Sequence, residues 1–78
     1  MTIFTTGTYE YITYSTGKKH TVEILEIKEA NGRKTAIATH DGKRKVYRIA
    51  DNRGTEVIDL YPKSNRVLLL VAGRDKVN

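Results

Sequence analysis

Residues 21–50 read TVEILEIKEA-Asn31-Gly32-RKTAIATH-Asp41-Gly42-KRKVYRIA, three strand-like runs joined by two dipeptides that favour tight hairpins. A type I′ turn needs positive φ at both central residues, which Asn-Gly and Asp-Gly tolerate best, and its twist matches the strands it joins. The stretch therefore predicts a three-stranded antiparallel meander over 21–28, 33–40 and 43–50. Two-residue turns also set the pairing, with Ile27 opposite Ala36 and Leu25 opposite Ala38, then Ala36 opposite Tyr47 and Ala38 opposite Lys45. Leu25, Ile27, Ala36, Ala38, Tyr47 and Ile49 form the expected core face. The other face carries the rows Ile24-Thr39-Arg44, Glu26-Ile37-Val46 and Lys28-Thr35-Arg48. Apolar positions change phase between Val22 and Ile24 on one side and Leu25 and Ile27 on the other. A β-bulge explains this better than a helix, because the Asn31-Gly32 turn demands a hairpin partner; placed at Ile24-Leu25, it would shift part of the register.

Outside the meander, alternating runs rich in Thr, Ile, Val and Tyr continue between turn residues. Residues 3–14 read as one long or broken strand with Gly7 as its candidate bend, and 15–18 as a loop. The chain turns at 51–54, and two more strands, 55–61 and 66–72, flank the turn Pro62-Lys63-Ser64-Asn65. The run 67–71 has no polar face and is expected to be a central strand covered on both sides. Residues 73–78 are polar and expected to fray. The whole is all-β: a single domain over 1–78, built as a small five- or six-stranded antiparallel barrel on the meander. An SH3-like barrel fits best, since an OB-type barrel usually needs more length and a helix that no segment supplies. The segment Pro62-Lys63-Ser64-Asn65-Arg66-Val67 resembles the short turn and following valine before the last strand of the SH3 family. The acidic aromatic motif and the tryptophan of that family's proline-peptide groove have no counterpart here, so the resemblance implies topology and not peptide recognition.

The chain has 78 residues and no cysteine, so neither disulfides nor thiolate-bound metal staples it, and packed apolar side chains must hold it. Its start lacks a basic segment followed by an apolar run, and its longest apolar stretch is too short to cross a bilayer, so a cytoplasmic location without membrane attachment is expected. Fourteen Lys and Arg against nine Asp and Glu give a net charge of +5. The excess lies in the second half, where Lys43-Arg44-Lys45, Arg48 and Arg53 sit. Such a balance suits acidic partners, although charge also serves solubility.

The outer meander face joins a basic fringe to an apolar centre. Lys28, Arg44 and Arg48 can neutralise phosphates, while Ile37 and Val46 can lie against sugars or wedge at a base step, and Thr35 completes the candidate binding face. Lys43, Arg44 and Lys45 follow a tight turn and would present cations at a hairpin tip. Small basic chromatin barrels of the SH3 type are similar in layout. The competing readings are a barrel that curls enough to bury Ile37 and Val46, and a charge run that only protects a sheet edge from aggregation. Catalysis is not expected: His20 and His40 sit at strand ends without ligand or triad spacing, and Gly17-Lys18 lacks the glycine frame of a phosphate loop. No metal, cofactor or small-molecule substrate is expected. The leading expectation is non-enzymatic nucleic-acid binding. The alternative is an interaction module or inhibitor that docks on a larger protein with an acidic surface, by sheet-edge addition.

Overall fold

The computed structural model describes residues 1–65 and 67–77. Both hairpin dipeptides adopt the expected left-handed backbone, with φ of 54° and 75° at Asn31 and Gly32 and 52° and 84° at Asp41 and Gly42. A third turn of this kind is made by Arg53 and Gly54, at 54° and 85°. Six strands result: β1 (Gly7–Thr13), β2 (Lys18–Ala30), β3 (Arg33–His40), β4 (Lys43–Asn52), β5 (Thr55–Asp59) and β6 (Leu69–Val71). Every neighbouring pair is antiparallel and the sheet order follows the chain order.

The sheet curls into a nearly closed small barrel, and both ends of the described chain help to close it. Thr2 bridges to Thr55, and Glu56 N–H donates to the Thr2 carbonyl at 2.9 Å. On the opposite seam Glu10 N–H donates to the Asp75 carbonyl at 3.0 Å and Val77 N–H to the Thr8 carbonyl at 2.9 Å. Residues 73–77, expected to fray because they are polar, are thus held by main-chain bonds that a polar sequence does not advertise. Arg66 and Asn78, which belong to the expected last strand and tail, lie outside the described residues.

A bulge between Ile24 and Glu26 shifts the β2 register. Ile24, not Leu25, lies opposite Ala38, and Glu23 rather than Ile24 lies opposite Thr39. Leu25 is the extra residue and is 46% exposed, so it leaves the expected core face and Ile24 replaces it. The bulge turns Val22 and Ile24, which precede it, and Ile27, which follows it, to the same side despite their odd spacing. The core comprises Phe4, Tyr9, Tyr11, Val22, Ile24, Ala36, Ala38, Tyr47, Ile49, Ile58, Leu60, Leu70 and Ala72, with Ile27, Tyr61 and Leu68 packed at its margin. The last strand is shorter than expected. Only Leu70 of the 67–71 run is fully buried and Val67 is 78% exposed, because β6 begins at Leu69 and, as the last strand in the sheet order, pairs with β5 alone instead of lying covered at the centre. Among the described residues no helix is long and apolar enough to cross a membrane.

Polar plugs close the two ends of the core. At one, Glu56 accepts the Phe4 N–H at 2.8 Å and the Lys34 ammonium at 2.6 Å. At the other, Tyr11, His40, Tyr47 and Tyr61 hydrogen-bond to one another.

Candidate functional site

Pairing across the meander places Lys28 opposite Thr35 and Thr35 opposite Arg48. The next row is Glu26, Ile37 and Val46, and the third is Glu23, Thr39 and Arg44. Lys28, Arg44, Val46 and Arg48 are exposed, whereas Thr35 and Ile37 are half-buried. The face keeps Lys28, Arg44 and Arg48 in water and its centre partly dry, while the exposed carboxylates Glu23 and Glu26 lie along its β2 side, Glu23 where Ile24 was expected. Val46 is 65% exposed, which rules out its burial by barrel curl. Lys28 and Arg48 are two strand spacings apart, ~10 Å, and Arg44 lies about 13 Å along β4 from Arg48.

The run Lys43-Arg44-Lys45 is divided by strand alternation. Arg44 points with Val46 and Arg48, whereas Lys43 lies opposite the buried His40 and Lys45 opposite the buried Ala38, at the rim of the barrel. Among the described residues three Lys or Arg side chains are held in ion pairs elsewhere: Lys19 with Glu10, Lys34 with Glu56 and Arg74 with Asp75. Among the described residues Lys28, Arg33, Lys43, Arg44, Lys45 and Arg48 make no ion pair. Arg33 extends the outer face at the β2–β3 hairpin, where it lines an open cleft of about 570 Å³ with Lys28, Ala30, Asn31 and Thr35. It has the same strand parity as Thr35 and Ile37, so alternation alone would have added it to the candidate site.

The aromatic end was not legible as a site. His40 Nε2 meets the Tyr11 hydroxyl at 2.5 Å and its Nδ1 meets the Tyr47 hydroxyl at 2.6 Å; the Tyr11 hydroxyl also meets that of Tyr61 at 3.1 Å. Burial pushes the His40 imidazole below its ordinary pKa; the nearby Asp41 carboxylate opposes this, and Lys45 and His20 reinforce it. A neutral imidazole donates through one ring nitrogen and accepts through the other, so one tyrosine donates to it and the other accepts. Burial also raises Tyr47 to about 12, helped by Tyr61 and Asp41. Tyr11 is raised for the same first reason, with its Tyr61 hydrogen bond next.

His20 stacks on Tyr11, with ring centroids 4.8 Å apart and planes 11° from parallel, and its Nδ1 lies 2.7 Å from Asp41 Oδ2. Desolvation pushes the Asp41 carboxyl up, but the His20 hydrogen bond, the charge on His20 when it is protonated and a Thr21 backbone hydrogen bond outweigh it and leave its pKa lowered. The two histidines, far apart in sequence, thus meet around one carboxylate. Each polar group of the cluster has a partner inside it, so the arrangement braces the end of the barrel. Among the described residues no group of three or more His, Cys, Asp or Glu side chains is placed to hold a metal.

Beside this cluster Lys45, Val46, Tyr47, Leu60, Tyr61, Pro62, Lys63 and Ser64 line an open groove of about 430 Å³. Val46 and Tyr47 also line a smaller, mainly apolar cleft that includes Arg48, Ala50, Val57 and Leu69. Val46, Tyr47 and Pro62 line both openings and so connect them. No family model matches the chain, and comparison with curated proteins and with solved structures returned no match.

Proposed function

We propose that this domain is a non-enzymatic nucleic-acid-binding barrel that grips phosphates through the outer meander face. The observation that carries the reading is the set of exposed cations on one sheet face, Lys28, Arg33, Arg44 and Arg48, none of which is neutralised by an ion pair among the described residues. Thr35, Ile37 and Val46 lie between them as a partly dry platform, and Lys43 and Lys45 add positive charge at the rim. Long cationic side chains ~10 Å apart can reach phosphates on both sides of a duplex groove about 12 Å wide. The sheet offers no fixed donor-acceptor array for base edges, so binding is by backbone and does not select sequence. The layout is that of an SH3-like basic barrel, and the place of action is the cytoplasm.

Four phosphate contacts imply a slope of log affinity against log salt of about −3.6, an affinity loss of about 150-fold between 50 and 200 mM. The test is that salt titration with a generic duplex, repeated for Arg44→Ala and Arg48→Ala. Each variant should lower the slope by about 0.9 and weaken all sequences alike while the fold stays intact. Unchanged affinity and slope in both variants would remove this face from consideration.

A second reading, docking on a larger protein with an acidic surface, is favoured by the cleft of about 310 Å³ in which Val46, Ala50, Val57 and Leu69 adjoin Arg48. A mixed apolar and cationic contact would depend far less on salt than a purely phosphate-bound one.

A further inference from the structure

We infer that the groove at the aromatic end of the barrel receives one unpaired nucleotide of a single strand, with its base against Tyr61 and its phosphates at Lys45 and Lys63. The inference rests on the phosphate-binding reading and gives it a substrate class. Three observations converge. The groove, about 430 Å³, matches the size range of small-ligand sites, and it joins aromatic and apolar walls from Tyr47, Leu60, Tyr61 and Pro62 to two cations. Lys45 comes from β4 and Lys63 from the loop between β5 and β6, and neither makes an ion pair among the described residues.

Tyr61 is half-buried, and its hydroxyl is held 3.1 Å from that of Tyr11, which is tied in turn to His40. The ring is therefore ordered before a base arrives, and little rotamer freedom remains to be lost on stacking. Val46 lines both this groove and the cleft containing Arg48, so a backbone lying on the outer face has a continuous path to the rim. A base inside a duplex is stacked on its neighbours and cannot offer its face to Tyr61 without being flipped out. Single strands meet no such obstacle, and stacking on an aromatic ring tolerates any base.

The test compares an oligothymidylate of about ten nucleotides, within the usual range of single-strand site sizes, with a duplex of similar length, both at fixed salt. Tyr61→Leu should weaken the single strand by about five- to 150-fold and leave duplex affinity within about twofold, while Tyr61→Phe retains most single-strand affinity. Lys63→Ala, in an exposed loop remote from the core, should also weaken the single strand selectively and decides the matter if Tyr61→Leu proves unfolded by its amide spectrum. Arg48→Ala should weaken both ligands. Single-strand affinity unchanged from the wild type in Lys63→Ala and in folded Tyr61→Leu, or equal losses on both ligands, overturns the inference while leaving duplex binding standing. Failure of the wild-type domain to bind either ligand at low salt removes both readings together.

Discussion

The Lys34–Glu56 plug should respond asymmetrically to loss of its two members. The Glu56 side chain is only 8% exposed and the Lys34 side chain 25%, so the carboxylate is the group that depends on its partner. In Lys34→Met the carboxylate keeps the Phe4 N–H at 2.8 Å but loses its counter-charge, and removal of one partner from a buried pair costs up to about 3–5 kcal/mol. Water can reach the half-exposed end of this pair, which places the cost nearer 2–3 kcal/mol. Glu56→Gln retains an acceptor for Phe4 N–H and leaves an ammonium that can turn outward, so about 1 kcal/mol is expected. The double variant should then cost less than the sum of the two, because the amide no longer needs a cation. Urea denaturation followed by far-ultraviolet circular dichroism measures all three. Equal losses for the two single variants, or a cost below about 0.5 kcal/mol for Lys34→Met, would show that the pair is solvated and that the burial argument fails.

Three further outcomes follow from the same structure. His40 is held neutral by burial, so the unfolded chain takes up its proton at higher pH than the folded one, and stability should fall as pH drops below about 6.5. Ring proton shifts should put the His40 midpoint below 6.5, and a midpoint at or above it would contradict the buried neutral state. Leu25→Asp should change stability by less than about 0.5 kcal/mol, whereas Ile24→Ala should cost about 2–4; the reverse order in thermal melts would mean that the bulge is misplaced. Arg53 is, among the described residues, the only one with positive φ that is neither Asn, Asp nor Gly; Arg53→Asn should stabilise the domain by about 1 kcal/mol, read as a higher denaturation midpoint, and a loss would show that its left-handed backbone is not strained.

Local chemistry explains what could be read in advance. Asn31-Gly32 and Asp41-Gly42 fix their own backbone, so β3 has the expected bounds and the rows from Lys28 to Arg48 and from Glu26 to Val46 stand as paired. The same chemistry makes the Arg53-Gly54 turn, which arginine disguises. The change of phase located the bulge at Ile24-Leu25, but it does not tell which of the two residues is the extra one, so Leu25 stood on the expected core face. The aromatic end escaped for a different reason: Tyr11 on β1 and Tyr61 just beyond β5 are 50 positions apart, and only the closing of the barrel brings them together. Closure depends on contacts of the same kind, such as Phe4 with Glu56 across 52 positions. Alternation does specify which cations share the outer face, which is why Arg44 and Arg48 are together and Lys45 is not.

The seam formed by Thr8, Glu10, Asp75 and Val77 also sets an order in time. Hairpins between successive strands close short loops and can form as soon as their residues exist, whereas the seam must join segments at opposite ends of the domain and pays the entropy of the intervening chain. Opening should run in reverse, beginning where fewest bonds bind the two edges. The amides of Glu10 and Val77 should accordingly exchange with solvent sooner than those of Ala36 and Tyr47, through a partly opened sheet that keeps its central hairpins.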